Sequence, residues 1–311
     1  MKELNYERVF STLVEETRNY ITRNHLSAMV LGISGGIDST VVAAICYEVS
    51  RKTGIPLIGR SLPIKNKGDE FDVSKLVGEA FCDNFSVYRL ERSYRAALFD
   101  ACADAGDVNM ANSYYLDELE EMPSRTPIAN GNLQARCRMM YLYDIASRHK
   151  GLVMSTDNQT EYQLGFWTLH GDVGDFDPIQ GLWKTEVYKL ATYIMNKYYS
   201  SMRGLVAAGS DDFKEDETKY KAISSSINLT PTDGLGISNS DLDQIGAKSY
   251  YDVDRVLQTL TCKASPENDK LQDELTAELG PDVVGKITER HFKSRFKRLV
   301  SPIIVPREMY D

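Results

Sequence analysis

The first third of the chain alternates helical and strand-like hydrophobic patterns. Apolar residues recur at helical spacing over 4–26, and the apolar run SAMVLGIS then predicts a buried strand. After residue 39 the pattern predicts a helix that ends at Gly54, a strand over 55–63 and a helix over 69–82. FSVYRL predicts a third strand. This alternation is typical of an α/β fold with a doubly wound parallel sheet and helices on both faces.

The rest of the chain extends this pattern. Helical spacing over 132–150 is followed by the short apolar run GLVMST, which predicts another strand, and by an amphipathic helix over 185–199. From about residue 203 the chain is charged and has helical spacing, which predicts a helical C-terminal part. We expect a single domain over 1–311.

A polar, tyrosine- and acid-rich segment interrupts the alternation around 93–130. We interpret it as an acidic helical insertion, a helical hairpin followed by a loop that ends at Pro127 and Gly131. We expect it to belong to the same domain.

Composition and charge exclude several classes of protein. The 311 residues are 42% hydrophobic and 26% charged, which is typical of a globular protein. A net charge of -9 argues against nucleic acid as a partner. No apolar run approaches the roughly 18 residues of a membrane span, and the N-terminus lacks signal-peptide order, so we expect no membrane contact and a cytoplasmic location. The five cysteines form no CxxC pair and predict buried free thiols.

The chemistry of the chain is concentrated in the loop after the first predicted strand, LGISGGIDST. A glycine-rich turn that enters a helix presents backbone N–H groups to an anion, and Gly35 and Gly36 would permit positive φ angles. Ser34 and Ser39 add hydroxyl donors. Asp38 would be repelled by a polyphosphate unless a divalent cation lies between them, so it predicts magnesium. The absence of a following lysine argues against a P-loop, and the spacing does not match GxGxxG.

SGGIDS resembles the pyrophosphate-binding loop of the ATP pyrophosphatases. This resemblance implies an adenine nucleotide alpha hydrolase-like fold, ATP as a co-substrate that is cleaved between its α and β phosphates, and adenylation of a second substrate. Four further stretches resemble, in order, motifs of the NAD synthetase family: GNLQARCRM, STDNQTEYQLGFWTLHGD, DPIQGLWKTEVYKLA and FKRLVSP. With SGGIDS they extend over most of the chain.

The resemblance implies an ammonia-dependent enzyme that adenylates the nicotinic acid carboxylate of deamido-NAD and then lets ammonia displace AMP. It points to the ammonia-dependent branch because glutamine-dependent members carry a long N-terminal amidase domain before these motifs. It also implies a homodimer whose deamido-NAD site lies across the subunit interface.

The resemblance also assigns residues. It makes Asp38 and Lys184 catalytic, and Asp38 and Glu161 the magnesium ligands. The residues it implies for ATP are Gly32, Ile33, Ser34, Gly35, Gly36, Ile37, Asp38, Ser39, Thr156, Lys184 and Thr232. Those it implies for deamido-NAD are Arg136, Asp175 and Lys297. Ammonia must react deprotonated, and Asp172 or Asp175 is the candidate proton acceptor.

Two alternatives remain open. One is an adenylating or amidating enzyme that uses the same ATP site on another carboxylate, and the other is a nucleotide-binding protein that has lost its chemistry. Leu169 stands where ammonia-dependent members often place a lysine, and Phe296 replaces a histidine. Substrate handling is therefore the part of the hypothesis that the motifs constrain least.

Overall fold

Four parallel strands form the centre of the computed structural model, which describes residues 3–65, 68–210, 213–230, 241–263 and 265–298. The strands are β1 (Met29–Gly32), β2 (Leu57–Ser61), β3 (Asn84–Val87) and β4 (Leu152–Val153), in the sheet order β3-β2-β1-β4. Met29 pairs with Leu57 of β2 on one side and with Leu152 of β4 on the other. The predicted parallel sheet is confirmed.

Thirteen α-helices surround this sheet within the described residues. They are α1 (Tyr6–Arg23), α2 (Ile37–Thr53), α3 (Asp69–Phe81), α4 (Glu91–Asp104), α5 (Leu116–Glu120), α6 (Pro127–Arg148), α7 (Gln159–Leu164), α8 (Lys184–Ala207), α9 (Phe213–Asn228), α10 (Asp241–Ile245), α11 (Tyr250–Thr261), α12 (Pro266–Leu279) and α13 (Pro281–Lys293), and a short 3₁₀ helix follows at Arg295–Arg298.

The apolar run of β1 is buried on both faces of the sheet. Met29 and Leu31 belong to a hydrophobic cluster with residues of α1, α2, α8 and α9. Ala28 and Val30 belong to a second cluster with residues of α4 and α6. Successive side chains of a strand point to opposite faces, so a continuous apolar run requires a cover on each face. The doubly wound arrangement is therefore confirmed.

The C-terminal helices build a third hydrophobic cluster beside the sheet. Leu164 of α7 packs there with residues of α11, α12 and α13, among them Val253, Leu275 and Ile287. The predicted helical C-terminal part is confirmed. This cluster brings α11 next to α7 and α8, which carry two of the predicted site residues.

The expected loop end at Pro127 and Gly131 is wrong. Thr126 caps a helix by accepting a hydrogen bond from Ala129 N at 3.1 Å, and Pro127 occupies the first turn of α6. Proline suits that position because the first-turn N–H groups have no partner within the helix. Gly131 lies inside α6 and is buried. That 93–130 is an insertion in a single domain stays a prediction.

Two compositional expectations can be compared with the fold. No helix in the described ranges is both long and apolar enough to cross a membrane. All five cysteines are free thiols, as expected, but only Cys46, Cys102 and Cys137 are fully buried. Cys262 is exposed, because it follows the last turn of α11.

Candidate nucleotide site

The glycine-rich loop joins the carboxyl end of β1 to the N-terminus of α2. Gly35 has a φ of 90°, and a Cβ atom there would lie 2.7 Å from Glu70 O and 2.8 Å from Ser74 N. Only glycine allows the loop to pass this close to α3. Gly36, by contrast, has a φ of -65° and is the N-cap of α2, so the prediction of a positive φ is confirmed for Gly35 and wrong for Gly36.

The serines of the loop bond to each other. Ser34 Oγ and Ser39 Oγ lie 3.0 Å apart, and Gly36 N donates to Ser34 Oγ at 3.2 Å. Ser39 Oγ also lies 3.0 Å from Gly36 O. No side chain caps the N-terminus of α2. The first turn of a helix carries N–H groups without helical partners, so this end of α2 has the character of an anion site.

Lys184 brings the predicted catalytic and metal residues together. Its Nζ lies 2.5 Å from Asp38 Oδ2 and 2.9 Å from Glu161 Oε1. Asp38 is in the first turn of α2, Glu161 is in α7 and Lys184 begins α8. The Lys184 side chain is only 3% exposed. Three residues predicted from separate motifs therefore form one charged cluster.

Asn158 connects the carboxylate of Asp38 to the start of the helix that carries Glu161. Its Nδ2 donates to Asp38 Oδ1 at 2.8 Å, and its Oδ1 accepts from Glu161 N at 3.1 Å. Glu161 in turn accepts from Asn158 N, which completes a capping box at the start of α7. Asn158 is fully buried. It belongs to the site, although the sequence interpretation did not include it.

Lys184 is held as a cation. Burial alone would lower the pKa of its ammonium group, but attraction to Asp38 and Glu161 outweighs burial and raises the pKa well above its ordinary value. The ring of Tyr250 adds a cation–π contact at 5.5 Å. The cluster thus holds one protonated ammonium between two carboxylates, next to the glycine-rich loop and the N-terminus of α2.

Residues 9–301 match a family model described as NAD synthase. The chain belongs to this family. The NH3-dependent NAD+ synthetase of Alkaliphilus metalliredigens is 34% identical over 225 residues, which cover 70% of this chain and 83% of that relative. The NH3-dependent NAD+ synthetase of Fusobacterium nucleatum is 27% identical over 298 residues, 95% of either chain.

Solved structures support the fold of the family. The NMN synthetase of Francisella tularensis aligns with a TM-score of 0.68 at 22% identity, covering 98% of this chain and 100% of that one. The NH3-dependent NAD synthetase of Campylobacter jejuni aligns with a TM-score of 0.63 at 20% identity, covering 97% and 100%. At these identities the likeness concerns the α/β architecture.

The three residues that the NAD synthase motifs assign to deamido-NAD lie in different environments. Arg136 is exposed on α6 and donates to Leu169 O at 3.2 Å. Asp175 accepts from Tyr143 Oη at 3.0 Å and from Val153 N at 2.9 Å, which fixes it between α6 and β4. Neither residue contacts the Lys184 cluster in any hydrogen bond of the described chain.

Lys297 lies beside a basic cavity. Its Nζ donates to Gly165 O at 2.7 Å and to Trp167 O, and burial lowers its pKa. The adjoining open cavity of about 520 Å³ carries four basic side chains, from Lys286, Arg290, Lys293 and Lys297, and one acidic side chain, Glu289, which pairs with Lys293. Their charge makes this cavity suited to an anionic ligand.

The remaining residues predicted to bind ATP lie in or after the loop and after β4. Gly32 ends β1, and Ile33 N continues the sheet by donating to Arg60 O at 2.8 Å. Thr156 comes three residues after β4 and is half-buried. Thr232 lies outside the described residues.

Two carboxyl groups near the cluster were not singled out from the sequence. Burial, with a smaller contribution from the negative charge of Asp38, raises the pKa of Asp177 to about 7. Burial, with the charge of Asp172 next, raises the pKa of Asp157 well above its ordinary range. Asp157 follows β4 closely in the chain, whereas Asp177 comes directly after Phe176, which pairs with Met154 just after β4. The signal in the sequence was the density of acids after a strand.

Proposed function

We propose that this chain is an ammonia-dependent NAD synthetase that uses the Lys184 cluster as its ATP site. In the first step, a carboxylate oxygen of deamido-NAD attacks the α-phosphorus of ATP and pyrophosphate leaves. In the second step, ammonia attacks the carbonyl carbon, AMP leaves and NAD is formed. The convergence of Asp38, Glu161 and Lys184 at the anion-binding loop carries this proposal.

The loop binds the phosphates of ATP. Backbone N–H groups at the start of α2, from Ile37 to Ser39, and the hydroxyls of Ser34 and Ser39 donate to phosphate oxygens. Gly32 and Ile33 lie against the nucleotide at the end of β1, and Thr156 and Thr232 provide further hydroxyls.

Two carboxylates that share one ammonium form a donor set that suits Mg²⁺. This ion is typically held by one or two carboxylates and by substrate phosphates, and no group of three or more metal-ligating side chains occurs in the part of the chain that the structure describes. Asp38 and Glu161 would hold magnesium, which would neutralise charge on the departing pyrophosphate.

Lys184 stabilises the transition state of adenylation. Its raised pKa keeps it protonated over the whole physiological range, so it offers a fixed positive charge to the α-phosphate as negative charge accumulates there. Its long side chain exchanges a carboxylate contact for a phosphate contact while its backbone stays in place.

The basic cavity beside Lys297 and the exposed face of α6 bind deamido-NAD. Lys297 and its basic neighbours suit the pyrophosphate of a dinucleotide, and Arg136 provides a further cation. The exposed Met140 and Tyr143 on the same helix support a homodimer in which this face meets a second copy. Asp175 orients Tyr143 there.

Asp172 accepts the proton of the incoming ammonium. Its side chain is exposed to solvent, yet neighbouring protein atoms partly desolvate the carboxyl and raise its pKa to about 6, while hydrogen bonding and the charges of Lys297 and Arg138 oppose the rise. A pKa near the working pH suits a general base. Asp175 is the weaker candidate, because both of its oxygens already accept hydrogen bonds.

The test is NAD formation from ATP, magnesium and deamido-NAD, with ammonium or glutamine as the nitrogen source. We expect NAD with ammonium, and Asp38→Ala should lower the rate about 100-fold or more. Asp269→Ala, the same change in the first turn of the remote helix α12, is the matched control and should keep the activity.

Nicotinic acid mononucleotide should be tested as a second acceptor, because a structural neighbour is an NMN synthetase. Pyrophosphate release with that or another carboxylate, but no NAD from deamido-NAD, would support the assignment of the ATP site. It would contradict the assignment of deamido-NAD as the second substrate. No release with any acceptor would favour a nucleotide-binding protein without catalysis.

A further inference from the structure

Helix α11 contributes a fully buried carboxylate that no motif of the nucleotide site includes. Asp254 Oδ1 accepts a hydrogen bond from Thr160 Oγ1 at 2.5 Å. Its Oδ2 accepts from Thr185 Oγ1 at 2.7 Å and from Thr185 N at 3.0 Å. A buried carboxylate is retained only where its oxygens are satisfied, and here three donors converge on it.

The partners of Asp254 are the chain neighbours of the predicted catalytic residues. Thr160 immediately precedes Glu161, and Thr185 immediately follows Lys184. Thr160 Oγ1 also accepts from Lys184 N at 2.8 Å. One carboxylate therefore connects the start of α7, which carries Glu161, to the start of α8, which carries Lys184.

The carboxylate of Asp254 also lies at a helix N-terminus, which partly offsets the cost of burying its charge. Thr185 N is one of the first-turn donors of α8, and a negative charge there also interacts favourably with the dipole of that 24-residue helix. The bonds of Asp254 constrain the backbones of the site, whereas the ammonium of Lys184 stays at the Asp38 and Glu161 carboxylates.

We propose that Asp254 is a positioning residue that sets the distance between Lys184 and Glu161 through Thr160 and Thr185. It does not touch the substrates, and its effect reaches the reaction through the placement of those two side chains. This proposal rests on the proposed function for its catalytic consequence, but its effect on ATP binding is independent of the second substrate.

The experiment removes single atoms of the network. Thr160→Val deletes the hydroxyl that joins Asp254 to Lys184 N at nearly constant volume, and Asp254→Asn converts one acceptor oxygen into a donor. Thr160→Ser keeps the hydroxyl. Thr259→Val, which deletes a buried hydroxyl of α11 bonded only to Val256 O in the described contacts, is the matched control.

We expect Thr160→Val and Asp254→Asn to lower kcat by about 10- to 100-fold, since groups that orient the ligands of a site typically have effects of this size. KM for deamido-NAD should change less than about twofold, and calorimetric affinity for magnesium–ATP should fall at least about tenfold. Thr160→Ser and Thr259→Val should stay close to wild type. All assays are run well below each variant's Tm, which is measured by circular dichroism.

The proposal is overturned if folded Thr160→Val and Asp254→Asn keep wild-type kcat and ATP affinity. It is equally overturned if Thr259→Val loses as much as they do, because the effect would then follow any loss of buried hydrogen bonds. If the wild-type chain makes no NAD, the proposed function fails, and the affinities for magnesium–ATP still decide the role of Asp254.

Discussion

Gly35 and Gly54 separate the two reasons for which a residue can be glycine. Both have positive φ angles, 90° and 72°. A Cβ atom on Gly54 would have no heavy atom within 4 Å, whereas one on Gly35 would press against the backbone of α3. Gly54 is thus required for its conformation alone, as the residue that ends α2, and Gly35 for its conformation and for space.

We therefore expect Gly35→Ala to be far more damaging than Gly54→Ala. The first should destabilise the fold by about 2 kcal/mol or more and raise KM for ATP, because the loop must move away from α3. The second should cost about 1 kcal/mol and leave the kinetics unchanged. Urea unfolding and steady-state kinetics measure both, and equal effects of the two variants would contradict the assignment of Gly35.

For single residues, the sequence indicated that the loop after β1 has a function, but not which conformation each glycine in it adopts. Of two adjacent glycines, only Gly35 has a positive φ, because Gly36 is the extended N-cap of α2. The need for glycine at position 35 depends on how closely α3 approaches the loop. The sequence does not show this approach, because Ser74 of α3 is distant from the loop along the chain.

Among the elements, helix α6 shows how one periodic segment serves both the core and the surface. Arg136 and Arg138 are two positions apart, which on a helix separates them by roughly 200°. Arg136 is exposed, whereas Arg138 donates to Leu62 O at 3.0 Å and burial lowers its pKa. The two arginines therefore serve different neighbours.

Substitution of Arg136 should accordingly affect substrate binding, and substitution of Arg138 should affect stability. Arg136→Ala should raise KM for deamido-NAD several-fold at an unchanged Tm, because an exposed cation that binds substrate contributes little to folding. Arg138→Ala should lower the Tm, because it leaves the carbonyl of Leu62 without this donor and opens a gap. Kinetics and thermal melts on both variants test this, and a lower Tm for Arg136→Ala would assign it a structural role instead.

The elements also show what periodicity can and cannot predict. The end of α2 at Gly54 was predictable from local residues, and the two-residue strand β4 from its apolar run. The position of β4 next to β1 was not, because sheet order depends on packing between distant segments. Pro127 misled the interpretation because proline both ends loops and begins helices.

At the scale of the whole molecule, the site is assembled from segments far apart in the chain. Asp38, Glu161 and Lys184 were predictable because each lies in a recognisable motif. Asp254 carried only a weak signal, an acid among the buried positions Val253, Val256 and Leu257 of an amphipathic helix. What it bonds depends on the packing of α11 against α7 and α8, which no local pattern encodes.

The same assembly places several carboxyl groups where their charge is unfavourable. Burial raises the pKa of Asp254 to about 6 and that of Asp177 to about 7. Each group binds its proton more tightly in the folded than in the unfolded chain. Its contribution to stability is therefore present below the unfolded pKa of about 3.8 and is lost as pH rises through the folded pKa.

Asp177→Asn should remove the loss of stability that Asp177 causes as the pH rises. The stability advantage of the variant over the wild type should grow by roughly 2 to 3 kcal/mol from pH 5 to pH 8, because the wild type must ionise a buried carboxyl over that range and the amide need not. Urea unfolding at both pH values measures the gain. Asp273→Asn, at an exposed position of α12, should show no pH-dependent gain. If the two variants respond alike, the carboxyl of Asp177 is ionised in the folded protein already at pH 5, and its burial does not oppose its charge.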